Sequence, residues 1–123
     1  MLDLAFGLLC GAALIGTGLA ILYLKGASAK PPAVFVLVAH AALGAASLVV
    51  LIAALGRGLP QTGMGTAGFG RVAGVLLTLA LAAGLALAYA ARQRRRPSEL
   101  LVGTHAGFAI AGFVVLLTLL ALR

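Results

Sequence analysis

The chain has 123 residues, of which 63% are hydrophobic and 9% charged, with a net charge of +7 and a mean hydropathy of +1.21. Soluble chains carry roughly 25% charged residues, so this composition excludes a soluble domain and a large catalytic site in water. The basic residues lie between apolar runs, which indicates membrane topology and contact with lipid headgroups rather than nucleic acid.

Four apolar runs, each long enough to cross a bilayer, predict a single transmembrane domain over residues 1–123. The first span is predicted over about residues 4–24. No basic residue precedes it, which argues against a signal peptide. The second span begins at Pro32, because proline is tolerated in the first turn of a helix, and continues to about residue 55.

A glycine-rich connector over residues 56–70 follows, and we expect it to be a loosely ordered loop. The third span is predicted over about residues 72–91 and the fourth over about 99–122. The expected fold is therefore all-α, an integral membrane four-helix bundle.

The two halves of the chain, residues 1–58 and 66–123, resemble each other. A Phe-Gly-x-x-x-Gly pattern begins at Phe6 and again at Phe69, and a Leu-Ala-x-x-Tyr pattern ends at Tyr23 and again at Tyr89. This predicts a duplicated helical hairpin. Because each half has two spans, the copies have one orientation and are related by a pseudo-two-fold axis along the membrane normal.

The basic residues also predict orientation. Six of the nine belong to the two hairpin loops, and three lie on the other side of the bilayer. Positively charged loops remain cytoplasmic, so we expect both hairpin loops inside and both termini outside, in a bacterial inner membrane.

The only two histidines, His40 and His105, each lie inside an apolar span and eight residues after a proline, Pro32 or Pro97. Eight helical residues rise about 12 Å, so both rings should reach a similar depth from the same side. An ionisable residue inside a span indicates a functional site. If the second and fourth spans face each other, the imidazoles converge.

The residues that share a helix face with these histidines, four and seven positions later, are small. After His40 they are Gly44 and Ser47, and after His105 they are Ala109 and Gly112. Such residues leave a flat gap of the kind that a porphyrin needs. The alternative interpretation is that they only allow close helix packing.

Two nitrogen ligands are too few for structural zinc, which takes four. Haem supplies four nitrogens itself, so His40 and His105 suffice as axial ligands of one six-coordinate iron. The chain has no Cys-x-x-Cys-His motif, so covalent c-type attachment is excluded and haem b is the expected cofactor.

The positions of polar residues along the helices suggest partners for the imidazoles and for the haem propionates. Thr17 is the candidate partner for an imidazole N–H, with Ser47 and Thr104 as alternatives, although such hydroxyls more commonly bond to their own helix. Haem propionates need cations, and Lys30, Arg92 and Arg96 are the candidates. Each of these basic residues is equally explained by topology and lipid contact.

With four spans and paired histidines on two of them, the chain resembles the transmembrane b-type cytochromes, including the four-helix haem-bearing anchors of respiratory enzymes. The resemblance covers the whole chain and rests on His40 and His105, which it implies are axial ligands. Those cytochromes often hold two haems on four histidines. Two histidines imply one haem per chain, or a ligand lent by a partner.

The predicted function is electron transfer within the membrane, with quinone or a redox protein as candidate partner, rather than stand-alone enzyme activity. One alternative is an accessory subunit of a larger respiratory or photosynthetic complex, including a version that binds chlorophyll through each histidine. A second is a small transporter with a histidine proton relay. A homo-oligomer is compatible with all three.

Overall fold

The computed structural model describes residues 1–25, 34–58, 66–93 and 98–122, with the backbone alone for residues 66 and 67. The described chain is all-α and contains four helices, as the sequence predicts. Their bounds are Leu2–Leu24 (α1), Val34–Gly56 (α2), Thr66–Arg92 (α3) and Glu99–Ala121 (α4).

All four helices are long and apolar enough to cross a membrane. In lipid no water can bond to exposed backbone groups, so a helix is the conformation that satisfies them within the segment, even where glycine is frequent. The start of α4 is fixed by Ser98, whose hydroxyl accepts the N–H of Leu101 at 3.2 Å. Glu99 in the first turn complements the positive end of the helix dipole.

Helix α3 begins at Thr66, so the prediction of a loop through residue 70 is wrong. Gly70 is buried against the side chains of Leu55 and Leu119, and a Cβ at this position would overlap Leu55. Packing against α2 and α4 therefore keeps this glycine-rich segment helical. The rest of the predicted loop, residues 59–65, and the predicted helix start at Pro32 lie outside the described residues.

The four helices form a closed antiparallel bundle in which each helix contacts two neighbours. Contacts are most extensive within the hairpins α1–α2 and α3–α4, while α2–α3 and α1–α4 close the ring. In the described residues, no Cα pair within 8 Å joins α1 to α3 or α2 to α4. The two histidine-bearing helices, α2 and α4, are therefore diagonal to each other.

The packed core occupies only one half of the bundle, the half distant from the two hairpin turns. There the rings of Phe6 and Phe113 lie 5.2 Å apart between α1 and α4. The largest fully buried side chains, Leu51, Leu116 and Leu119, belong to this half. Among the described residues, none is buried after Ala12 in α1 or after Ala80 in α3.

Ser47 is the one buried polar side chain among the described residues, and its hydroxyl donates to the carbonyl oxygen of Ala5 at 2.7 Å. We expect Ser47→Ala to lower the free energy of unfolding by about 1 kcal/mol, because interhelical hydrogen bonds in membranes average a little under that value. Unfolding in mixed detergent micelles measures it. Thr118→Ala is the control, since the Thr118 hydroxyl bonds to its own helix at Val114; an equal loss in both variants would contradict the assignment.

Candidate functional site

The two histidine rings meet at the centre of the bundle. His40 is the seventh residue of α2 and His105 the seventh of α4, so both lie about 9 Å from the start of their helices. Their ring centroids are 5.9 Å apart, with an angle of 76° between the ring planes. The predicted convergence of spans two and four is therefore present, across the diagonal of the bundle.

Each ring is tied to the neighbouring helix of its own hairpin. His40 donates from Nδ1 to the carbonyl oxygen of Ala12 at 2.9 Å, and His105 donates from Nδ1 to the carbonyl oxygen of Ala80 at 2.8 Å. Both acceptors are i→i+4 helix carbonyls, which have a second lone pair available for such a bond. The two hairpins thus hold their histidines in the same way.

These bonds determine which nitrogen of each ring carries the proton. A carbonyl oxygen can only accept, so the neutral ring has its proton on Nδ1 and its lone pair on Nε2. The bond to a backbone carbonyl also fixes the orientation of each ring. In the neutral form of both rings, Nε2 is therefore the nitrogen with the lone pair.

Two glycines allow the rings to lie against α1 and α3. A Cβ added to Gly16 would lie 2.7 Å from Cε1 of His40, and one added to Gly84 would lie 3.0 Å from Cε1 of His105. Any side chain at these positions would displace the ring. Each ring therefore occupies a niche made by an alanine carbonyl and by the glycine one helical turn further along.

The niche was not predicted, although the sequence contains a pattern that marks it. Both α1 and α3 contain an Ala-x-x-x-Gly pattern at the same distance from the helix end. The alanine lies twelve residues, and the glycine eight residues, before the last residue of the helix. The Leu-Ala-x-x-Tyr alignment pairs Gly84 with Gly18, which has no atom within 4 Å of an added Cβ. Counting back from the hairpin turns would have identified Gly16 instead.

The described side chains around the rings are less buried than those of the packed core. In α2 and α4 no described residue is buried before Ser47 or Gly112, and both histidines are only half-buried. The histidine half of the bundle therefore lacks the closely packed core that the other half has.

The separation of the rings fits two ligands of one metal atom. Metal–nitrogen bonds of about 2 Å, with about 1 Å from each nitrogen to its ring centre, place two coaxial imidazole centroids about 6 Å apart. The observed separation is 5.9 Å. The contacts that each ring makes with α1 or α3 are with an alanine carbonyl and a glycine, both of which are small.

The predicted neighbours of the histidines have different environments. A Cβ at Gly44 would meet no atom within 4 Å, so open space lies beside His40, and Ala109 is half-buried. Gly112, in contrast, is buried against Leu77, with its added Cβ only 2.8 Å from Cδ2 of that leucine. The expectation of a gap at Gly112 is therefore wrong, because α3 fills that space.

The predicted polar partners also lie elsewhere. Ser47 bonds to Ala5 within the packed half of the bundle, and Thr17 donates to its own helix at Ala13. Thr104 likewise bonds to its own helix, at Leu100. The role expected of Thr17 belongs instead to the backbone carbonyl of Ala12, because that carbonyl lies on the helix face towards α2.

Among the propionate candidates, Arg92 is exposed at the end of α3, while Lys30 and Arg96 lie outside the described residues. The described part of the chain contains no group of three or more His, Cys, Asp or Glu side chains that could hold a metal ion. His40 and His105 thus bring two imidazoles together, which is fewer than the four ligands of a structural zinc site.

No protein-family model, curated protein or solved structure matches this chain.

Proposed function

We propose that the protein is a membrane b-type cytochrome that binds one haem through His40 and His105 and transfers electrons within the bilayer. Nε2 of each histidine would be an axial ligand. Haem supplies an iron that alternates between its ferrous and ferric states. The chain supplies the two ligands, their orientation and an apolar environment.

The observation that carries this proposal is the convergence of two imidazoles from diagonal helices, with ring centroids 5.9 Å apart and an angle of 76° between the ring planes. Both rings donate from Nδ1 to a backbone carbonyl, so both have the lone pair on Nε2. A histidine that serves only helix packing has no need of a second histidine in contact with it. A shared ligand explains why two such rings meet.

One macrocycle per chain is favoured over two. A chlorophyll takes a single axial ligand, so two chlorophylls would need space for a separate macrocycle beside each ring. His40 and His105 are too close for that arrangement, since their ring centroids are 5.9 Å apart. The same contact also supports an intramolecular haem over one shared between two chains.

Bis-histidine ligation fills both axial positions, which suits electron transfer rather than oxygen chemistry at the iron. The Nδ1–H bonds to Ala12 and Ala80 support this role, because they hold the rings in the same place in both oxidation states. Quinone or a redox protein is the partner we propose for the electron.

The proposal includes a duplicated hairpin and an orientation in the membrane. The equivalent niches, Ala12 with Gly16 and Ala80 with Gly84, support two copies related by a pseudo-two-fold axis. Six of nine basic residues belong to the hairpin loops, which supports cytoplasmic loops and external termini in a bacterial inner membrane. The haem would then lie nearer the cytoplasmic surface.

A reduced-minus-oxidised visible spectrum of the detergent-purified protein tests the proposal. We expect sharp b-type bands and a haem content close to one per chain, because the site has two axial ligands and no more. Haem extracted and quantified against total protein gives the stoichiometry.

A folded protein that stays colourless after haemin is supplied would overturn the cytochrome proposal and favour an accessory subunit. A chlorophyll spectrum would identify chlorophyll, and not haem, as the cofactor. Proton flux through liposomes containing the colourless protein, lost on replacement of either histidine, would favour the transporter alternative.

A further inference from the structure

We propose that the haem-free protein binds one monovalent ion of the copper(I) class between Nε2 of His40 and Nε2 of His105. The inference uses the histidine geometry and holds whether or not the protein is a cytochrome. It concerns the state of the chain before, or without, its macrocycle. The ion would be coordinated by two nitrogens in a line.

The ring separation supports a bare ion as directly as it supports haem iron. Two metal–nitrogen bonds of about 2 Å in line require ring centroids about 6 Å apart, and the observed value is 5.9 Å. In the neutral rings both lone pairs are on Nε2, because both Nδ1 atoms donate to carbonyls. Binding to the neutral rings therefore requires no change of tautomer.

The absence of further ligands selects the class of ion. Zinc takes four ligands, and the described residues include no group of three or more His, Cys, Asp or Glu that could bind a metal. Copper(I) and silver(I) accept two nitrogen ligands in a line, and imidazole suits copper. Two histidines with no further protein ligand among the described residues therefore favour a two-coordinate ion over one that takes four ligands.

Charge selects in the same direction. The two neutral rings bring no negative charge to the site, and the cost of placing an ion in an apolar interior rises with the square of its charge. Glu99, the acidic residue of α4, is exposed at the start of the helix, a turn and a half before His105. A monovalent ion is thus much less unfavourable here than a divalent one.

The site is also accessible. Both histidines are half-buried, and no described residue from the rings to the hairpin turns is buried. Part of each ring is therefore left uncovered by the rest of the described chain. Gly16 and Gly84 keep the rings in contact with α1 and α3, so the pair stays arranged for binding when no macrocycle is present.

Silver nitrate titrated into haem-free protein tests this proposal, because silver(I) is redox-inert and takes the same linear geometry as copper(I). The background is Cys10→Ser, since the free thiol of Cys10 is itself a ligand for soft ions. We expect one silver per chain after gel filtration, a change in both Nε2 resonances in nitrogen-15 spectra, and at least about a hundredfold weaker binding in H40A or H105A.

Thr104→Val is the matched control, because Thr104 is exposed beside His105 and bonds to its own helix; it should bind silver as the parent does. Zinc sulfate should not bind at one per chain. Silver retention that is unchanged in both histidine variants, a change in only one Nε2 resonance, or equal binding of zinc would overturn the inference. Circular dichroism confirms that each variant is helical.

Haemin added to the same samples separates this inference from the proposed function. Protein that takes haem at one per chain but no silver would refute the ion site and leave the cytochrome proposal intact. Protein that binds silver but never haem would refute the cytochrome proposal and leave the ion site intact. Silver bound first should block haem uptake, because both use the same two nitrogen atoms.

Discussion

Replacing either His40 or His105 with alanine abolishes the low-spin b-type spectrum and lowers haem content at least about tenfold. The reason is geometric: the proposed ligation needs both rings, which meet across the bundle with centroids 5.9 Å apart, so one histidine could not hold a six-coordinate iron. Loss of a partner that merely orients a ligand already costs about 10- to 100-fold in affinity, and loss of the ligand itself should cost more. Haem content and the visible spectrum of purified variants give the measurement.

Glycine variants of the same residues distinguish loss of a ligand from loss of the fold. H40G and H105G leave an imidazole-sized space beside Gly16 or Gly84, so free imidazole should restore the low-spin spectrum. T104V is the unaffected control, because its hydroxyl bonds within α4. Full haem content with an unchanged spectrum in either alanine variant would refute the assignment of both histidines as ligands.

The second large effect is expected at the two glycines that contact the rings. Gly16→Ala places a methyl group 2.7 Å from Cε1 of His40, and Gly84→Ala places one 3.0 Å from Cε1 of His105. The His40 ring must therefore shift, and the His105 ring must give way by a smaller distance. Because each ring is tethered by its Nδ1 bond, the shift weakens the bond to its carbonyl acceptor. We expect haem affinity to fall about 10- to 100-fold, with the larger loss at Gly16.

The matched controls are Gly18→Ala in α1 and Gly74→Ala in α3, where an added Cβ meets no atom within 4 Å. Alanine is also the better helix former, so these substitutions should not weaken the helices. Haem titration of all four variants, with the electron paramagnetic resonance spectrum of the ferric state, makes the comparison. Equal haem affinity in the ring-contact variants and in their controls would show that Gly16 and Gly84 play no part in haem binding.

Close packing explains which sequence predictions about the fold were wrong. Glycine and other turn residues predict a loop through residue 70. The helix α3 nevertheless starts within this glycine-rich segment, because Gly70 packs against Leu55 and Leu119. The gap expected at Gly112 is filled by Leu77 of the neighbouring helix. In both places the deciding atoms belong to helices distant in sequence.

The partners of the histidine rings were unpredictable for a related reason. Side-chain hydroxyls such as that of Thr17 are visible in a sequence, whereas every residue has a backbone carbonyl, so Ala12 and Ala80 carry no distinguishing mark. Their repeated Ala-x-x-x-Gly spacing is informative only once the helix ends are known. Ring orientation, and with it the position of each lone pair, therefore required the three-dimensional structure.

The sequence by itself indicated a bilayer environment, gave the number of helices and singled out the histidine pair, because four long apolar runs and two ionisable residues inside them are local properties of the chain. The tertiary structure decided that α2 and α4 are diagonal, that the rings meet 5.9 Å apart, and that the packed core ends at the level of Ala12 and Ala80. These features follow from how the helices pack together, and helix packing depends on contacts between residues that no local pattern connects.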